Sequence, residues 1–262
     1  MQDRHYNKKK YFSEQSYTSN KYVIPFIEKH KKITPDLSVL EIGCGEGGNL
    51  MPFLDRGCKC VGIDLSQGKI ELGNEFYAEH PNVKNLELIN EDTYNIPYDN
   101  APKFDIIIMR DVLEHIHHQD KFMADVKKFI TPDTLFYLGF PPWQNPFGGH
   151  QQKCKNKILS ILPYYHILPK GIYKSILKIT ETDEKVENLL EIKQTQITIE
   201  TFRKILKKEQ YETLEEVFYF INPNYEIKFN LKPRKQWAII NKIPYLRNYF
   251  ITTCYYLVRH KK

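Results

Sequence analysis

Val39-Leu40-Glu41-Ile42-Gly43-Cys44-Gly45-Glu46-Gly47-Gly48 is the stretch from which the fold can be read. The apolar run Ser38–Ile42 reads as a strand, and the glycines behind it let the backbone turn sharply and approach a ligand closely. A helix N-terminus is expected just beyond them, with its unpaired N–H groups facing the same point. About 20 residues later a second strand, Lys59–Asp64, ends in an acid placed to accept hydrogen bonds from ribose hydroxyls. Strand, glycine turn and downstream acid together indicate a nucleoside cofactor.

Glu41 narrows the choice. The spacing Gly43, Gly45, Gly48 is compatible with a dinucleotide turn, so the glycines alone do not discriminate. A carboxylate two residues before the first glycine suits a cationic ligand, such as a sulfonium with its ammonium group, and is a poor neighbour for a pyrophosphate.

Outward from this point, short apolar runs alternate with helical patterns, as in a parallel sheet with crossover helices. Leu86–Asn90 reads as a third strand, Phe104–Met109 as a fourth and Thr134–Phe140 as a fifth. Ser66 is the expected cap of a helix carrying Ile70, Leu72 and Phe76. A further helix is expected over Asp120–Ile130, stopped by Thr131-Pro132. From Pro141 to Gln196 the rhythm breaks, and the segment is too long to be a plain connection. A helix near Ile199–Lys208, capped by Thr198, follows, and then strands over Thr213–Phe220 and Phe250–Val258. The divisions expected are a helical segment 1–35, a ligand-binding core 36–140, a lid 141–197, and a return to the core over 198–262 with a second insertion near 221–249.

The bulk figures fit one globular α/β unit of 262 residues. The charged start, MQDRHYNKKK, has no apolar stretch behind it, and no run reaches the roughly 20 residues a membrane helix needs. A cytoplasmic protein is therefore expected. Five cysteines without a CxxC pair give neither a zinc site nor a disulfide framework, and no metal is expected. The net charge of +6 is uneven: residues 1–140 hold 17 Lys+Arg against 21 Asp+Glu, and residues 141–262 hold 21 against 11. The basic part suits an anionic partner, whether nucleic acid or a membrane surface, or is simply a solvated face.

VLEIGCGEGG resembles the first motif of class I S-adenosylmethionine-dependent methyltransferases, and VGIDLS (Val61–Ser66) resembles the second. Asn90-Glu91-Asp92-Thr93 with Ile96-Pro97 resembles the third. Phe104–Ile108 leading into Asp111-Val112-Leu113-Glu114-His115-Ile116 resembles the fourth. The likeness covers roughly residues 36–140 in the family's order. It implies a doubly wound α/β fold, with a mostly parallel seven-stranded sheet, the last strand antiparallel, and a lid after strand 5. It also implies S-adenosyl-L-methionine as cofactor and S-adenosyl-L-homocysteine as product. Carried over by position, Gly43, Cys44 and Gly45 would lie against the amino-acid portion, with Glu41 buttressing the turn. Asp64 would bind the ribose hydroxyls and Leu65 would pack on the adenine. Asp92, with Thr93 beside it, would accept from the adenine amino group. Arg110 and Asp111 would pass under the methionine end.

The cofactor carries an activated methyl group, so the protein must orient the acceptor and, for some acceptors, remove a proton. His115, after the fourth strand, and His150 are the candidate bases. His150 ends the block Phe140–His150, which is similar to one in bacterial small-molecule methyltransferases. That loop should overhang the acceptor, rigid in its prolines and flexible at Gly148-Gly149, with Trp143, Phe147 and His150 as acceptor contacts. Tyr17 is a further candidate contact, in the segment Tyr11–Tyr17 that is read either as folding over the cofactor or as a helix packed on the sheet's edge.

The leading expectation is methyl transfer to O, N or C of a small metabolite, lipophilic ones included, beneath the lid. Tyr164-Tyr165-His166 and Ile158–Leu162 are a candidate patch for a membrane-borne acceptor. The runner-up is a nucleic-acid methyltransferase, suggested by the basic part, although no Asn/Asp-Pro-Pro-Tyr motif follows the fourth strand. A non-catalytic cofactor-binding protein and a dehydrogenase are the remaining alternatives.

Overall fold

Alternation along each strand sends neighbouring residues to opposite faces of a sheet, and it builds two cores in this chain. Val39, Ile106, Tyr137 and Tyr255 face one way, with Ile27 and Phe53 packed over them. Leu40, Ile107, Phe136 and Tyr256 face the other, under Phe122, Phe202 and Leu206. Burial of each such side chain contributes about 1.5–3 kcal/mol. The structure is a computed structural model and describes residues 7–261.

The strands are β1 (Ser38–Ile42), β2 (Lys59–Asp64), β3 (Leu86–Asn90), β4 (Phe104–Arg110), β5 (Ile130–Phe140), β6 (Tyr211–Ile221), β7 (Arg234–Lys235) and β8 (Thr253–His260). They form one sheet in the order β3-β2-β1-β4-β5-β8-β6-β7. β1 to β5 pair in parallel, and β8 runs antiparallel between β5 and β6. The α/β architecture read from the sequence is present, with one difference. The sheet has eight strands instead of seven, because two residues of the 221–249 segment add β7 to the outer edge of β6.

The helices are α1 (Lys8–Thr18), α2 (Ile24–Ile27), α3 (Met51–Asp55), α4 (Gln67–Tyr77), α5 (Gln119–Asp125), α6 (Lys157–Ile161), α7 (Lys170–Lys178), α8 (Asp183–Thr195), α9 (Ile199–Lys208), α10 (Asn224–Phe229) and α11 (Ala238–Asn241). α9 follows its sequence pattern: the Thr198 hydroxyl accepts from the Thr201 amide, and Phe202, Ile205 and Leu206 are buried.

Several boundaries move for local reasons. Ser66 does not cap α4 with its side chain; instead its amide donates to Asp64 Oδ1. The helix expected over Asp120–Ile130 ends at Asp125, a 3-10 turn carries the chain to Phe129, and β5 begins at Ile130. Pro132 is tolerated there because the ladder is irregular at this point, and the Thr131 amide goes to Thr134 Oγ1. The last strand starts at Thr253, since Leu246–Phe250 forms a 3-10 turn in which Asn248 Oδ1 accepts from the Ile199 amide.

The segment after β5 carries α6 to α8 and a third core of its own, with Cys154, Tyr165, Tyr173, Leu177, Val186 and Leu190. All five cysteines are buried and free. No helix among the described residues is long and apolar enough to cross a membrane.

Candidate functional site

β1 is flanked by β2 on one side and β4 on the other, so a crevice opens at its carboxyl end, where the strand order reverses. The glycine turn sits there. Gly43, Gly45 and Gly47 have φ of 70°, 57° and 82°, in the left-handed region. A Cβ on Gly43 would lie 2.5 Å from Val112 Cγ2, whereas one on Gly45 would meet only Lys69 Cδ, at 3.7 Å. The first glycine is therefore packed, and the second leaves room for a ligand. α1 closes the turn from above: a Cβ on Gly48 would sit 2.7 Å from the Phe12 carbonyl.

Asp64 organises the crevice. Its Oδ2 accepts from the Gly45 amide at 2.8 Å and its Oδ1 from the Ser66 amide at 2.9 Å. One carboxylate thus ties the glycine turn to the start of α4. Leu65, beside it, is 73% exposed, an apolar surface available to a flat ring. Asp92 Oδ1 accepts from the Tyr94 amide at 3.0 Å, and Thr93 is buried with its carbonyl held by Lys128. Asp64→Ala is expected to weaken S-adenosylhomocysteine binding tenfold or more, roughly the 1.4 kcal/mol of a charged hydrogen bond. Calorimetric titration returning wild-type affinity would remove Asp64 from the site.

Behind the turn runs a buried polar chain. Glu41 Oε1 accepts from Asn49 Nδ2 at 2.6 Å, and Asn49 Oδ1 accepts from Arg110 at 2.7 Å. The same guanidinium donates to Asn224 Oδ1 of α10, also at 2.7 Å, and its Nε lies 3.6 Å from Asp111. Burial pushes the Glu41 carboxyl up to about 8, against the opposing pull of Asn49 and Arg110. Its Oε2 is buried without a partner, a condition that a bound ammonium group would relieve. Burial also pushes the nearby Tyr11 phenol up to about 12, helped by Asp111. Asp111 itself takes φ of 57°, so the chain leaves β4 by a sharp turn.

The Phe140–His150 loop folds back to meet the chain just after that turn. The rings of His115 and His150 meet edge to face, with centroids 4.8 Å apart. Glu114, His115 and His150 bring their polar atoms within 4.8 Å of one another. Glu114 is buried, and its Oε2 has no hydrogen-bond partner. Burial and the Asp111 charge raise its carboxyl well above the usual range. His115 keeps part of its ring in solvent and His150 is half-buried; desolvation of the remainder, with Lys153 adding to it, still lowers His115, to about 4. Burial, then His115 and Lys153, hold His150 well below an ordinary histidine. The pair is thus neutral at pH 7. The three groups could ligate a cation, but the positive Lys153 beside both histidines opposes one.

Sequence reasoning identified His115 and His150 separately; their contact, and the presence of Glu114 beside them, depend on how the loop folds. Three expectations change. The Gly148-Gly149 turn is not loose: added Cβ atoms would come 2.0 Å from the Trp143 carbonyl and 2.3 Å from His166 Cβ. Trp143 is buried against His166 and under Lys193, so it builds the loop's interior, while Phe147 is half-buried. The Tyr17 hydroxyl donates to Glu226 of α10 and accepts from Lys21, so it clamps α1 to α10. Asn49 and Asn224 were missed. Asparagines outside a motif give no signal, and Asn224 lies 114 residues from Arg110.

A family model described as a methyltransferase domain matches residues 10–151, from α1 through His150. The chain belongs to this methyltransferase family. Within it, the class I S-adenosylmethionine-dependent architecture is the one seen in the sheet. The ubiquinone biosynthesis O-methyltransferase of Rickettsia bellii is 26% identical over 172 residues, 64% of this chain and 66% of that protein. The sterol 4-C-methyltransferase of Caenorhabditis elegans is 25% identical over 112 residues, 43% of this chain and 33% of the other. The chain therefore spans between one third and two thirds of the length of these curated relatives. Among solved structures, geranyl diphosphate C-methyltransferase from Streptomyces coelicolor, in complex with S-adenosyl-L-homocysteine, has the same fold. It superposes with a TM-score of 0.56 at 13% identity, covering 91% of this chain and 80% of that one.

Proposed function

We propose that this methyltransferase transfers the methyl group of S-adenosylmethionine to a small metabolite that donates a proton as it is methylated. The observation that carries the reading is the contact between His115, just after β4, and His150, at the end of the Phe140–His150 loop, with both imidazoles held below the ordinary range. The residues of the crevice fit the cofactor: Asp64 for ribose hydroxyls, exposed Leu65 for the adenine face, and the unpaired Glu41 oxygen for the ammonium group. When bound, the cofactor supplies an electrophilic methyl group on a positively charged sulfur. The protein's part is to hold the acceptor in line, exclude water and take its proton on an imidazole nitrogen. Orientation of this kind supplies several kcal/mol, up to roughly 7–11.

Curated relatives that methylate at oxygen and at carbon support a small-molecule acceptor. The insertion with its own core supports an enclosed one, since a lid must hold its shape to exclude water. Incubation with methyl-labelled S-adenosylmethionine and an extract divided into metabolites and macromolecules tests this. Label is expected in the metabolite fraction. Label confined to a nuclease-sensitive macromolecule would instead make the basic residues 141–262 a nucleic-acid surface.

A further inference from the structure

The two insertions that lie beyond the sheet share a contact: the Tyr164 hydroxyl donates to the Tyr249 carbonyl at 3.0 Å, and the two rings lie 6.3 Å apart. On one side of that contact α6 presents Ile158 and Ile161 to solvent; on the other, the segment around α11 presents Trp237, Ile239, Tyr245 and Leu246. Ile158, Ile161, Trp237 and Ile239 are 69–78% exposed, large apolar side chains with nothing packed over them. α11 is tied to the same contact region, because Arg247, two residues before Tyr249, donates to the Asn241 carbonyl. Tyr165 and His166, expected from sequence to lie on this surface, are instead buried in the insertion's core. Exposed apolar side chains are therefore presented by both insertions instead of one.

Charge says what covers it. Between residues 153 and 178 there are six lysines and no acid; between 227 and 249 there are six basic residues and again no acid. Lys174, Lys178 and Arg247 pair with Glu187, Asp183 and Glu200. Lys155, Lys157, Lys232, Arg234, Lys235 and Lys242 have no carboxylate partner among the described residues. Exposed Trp, Tyr and Ile bordered by lysine and arginine are the chemistry of a protein that rests on a bilayer, with apolar groups in the headgroup layer and cations against anionic lipid. The Tyr164 amide also donates to the Pro146 carbonyl, which joins this surface to the loop over the acceptor side of the site.

We propose that the surface formed by α6 and the segment around α11 docks on an anionic lipid bilayer. Resting on the methyltransferase reading, this implies an acceptor drawn from the membrane. The contact covers no cofactor residue, so it is separable from catalysis.

The protein carries two tryptophans, and Trp143 is buried, so Trp237 reports on this surface alone. With vesicles of phosphatidylcholine and phosphatidylglycerol, its emission is expected to shift to the blue and to be quenched by brominated acyl chains. Pure phosphatidylcholine should bind at least tenfold more weakly. The double variant Ile161→Ser, Ile239→Ser, altered only at exposed positions, should lose tenfold or more of its partitioning while melting at the wild-type temperature. Absence of a shift on anionic vesicles, or an unaltered double variant, overturns the proposal. So does displacement from vesicles by single-stranded RNA that itself moves the Trp237 emission, since the surface would then be a nucleic-acid site. Stabilisation by S-adenosylhomocysteine, measured in parallel without lipid, tests the methyltransferase reading on its own.

Discussion

Arg110→Met is expected to lower stability by about 3 kcal/mol, because two charge-assisted hydrogen bonds disappear together and leave their acceptors buried. Asn49 and Asn224 each receive one of them at 2.7 Å, and both asparagines are buried. Methionine matches the length and apolar bulk of the stem but offers no donor. For a domain of this size the melting temperature should fall by roughly 6–12 °C. Asn224→Ala removes one of the two bonds and should produce a smaller fall. The damage should also reach the cofactor. Without the guanidinium, Glu41 loses the positive charge that opposes its protonation, and Asn49 loses the partner that orients it. A melting temperature within 2 °C of wild type would sink the argument that this chain of groups ties β1, β4 and α10 together.

His150→Ala is expected to reduce kcat by roughly 10²–10⁴, the usual worth of a positioned base, while leaving S-adenosylhomocysteine affinity unchanged. The pH dependence distinguishes this role from a structural one. A histidine accepts a proton only while neutral, and both His115 and His150 are depressed, His115 to about 4. The wild-type kcat should therefore persist as pH falls below 6, since both imidazoles are held below the ordinary histidine range. A limb centred near 6.5 would mean the imidazoles titrate as free ones, without the desolvation their mutual contact imposes. Stability moves in the same window. As pH falls below about 6.5 the unfolded chain binds protons that the folded histidines refuse, so the contribution of these two histidines to stability falls. The His150→Ala variant should show a shallower fall.

Much of the fold was legible in the sequence, for a physical reason. β1 to β4 are short, mostly apolar runs that end in, or are followed by, glycine or polar residues, and such runs have few other stable destinations. The glycine turn and Asp64 were legible as well, because left-handed backbone and a close approach demand specific residue types. What escaped was set by tertiary contacts. The two residues of β7 exist as a strand only because β6 is beside them. The turn at Leu246–Phe250 replaces an apparent strand start because Asn248 serves the α9 N-terminus. The candidate site divides along the same line. The proposed cofactor groups sit on strand ends that a motif marks. The proposed acceptor-side groups come from a loop whose glycines are packed tight, and no local pattern reveals that Trp143 faces inward while His150 meets His115.

The placement of β8 has a consequence for how the molecule is made. It lies between β5 and β6, and its Thr253 side chain meets the Phe140 carbonyl across 113 residues of chain. During synthesis the first five strands can pair as they emerge, but the outer edge of β5 stays open until residues 253–260 arrive. In the interval β6 is already available, and it runs in the direction that would let it pair wrongly with β5. Closure over so long a loop is slow, and an open edge is a place for other chains to add. Conditions that delay the arrival of residues 253–260 should therefore favour aggregation over folding, although the glycine turn and the ends of β1, β2 and β4 have by then been made.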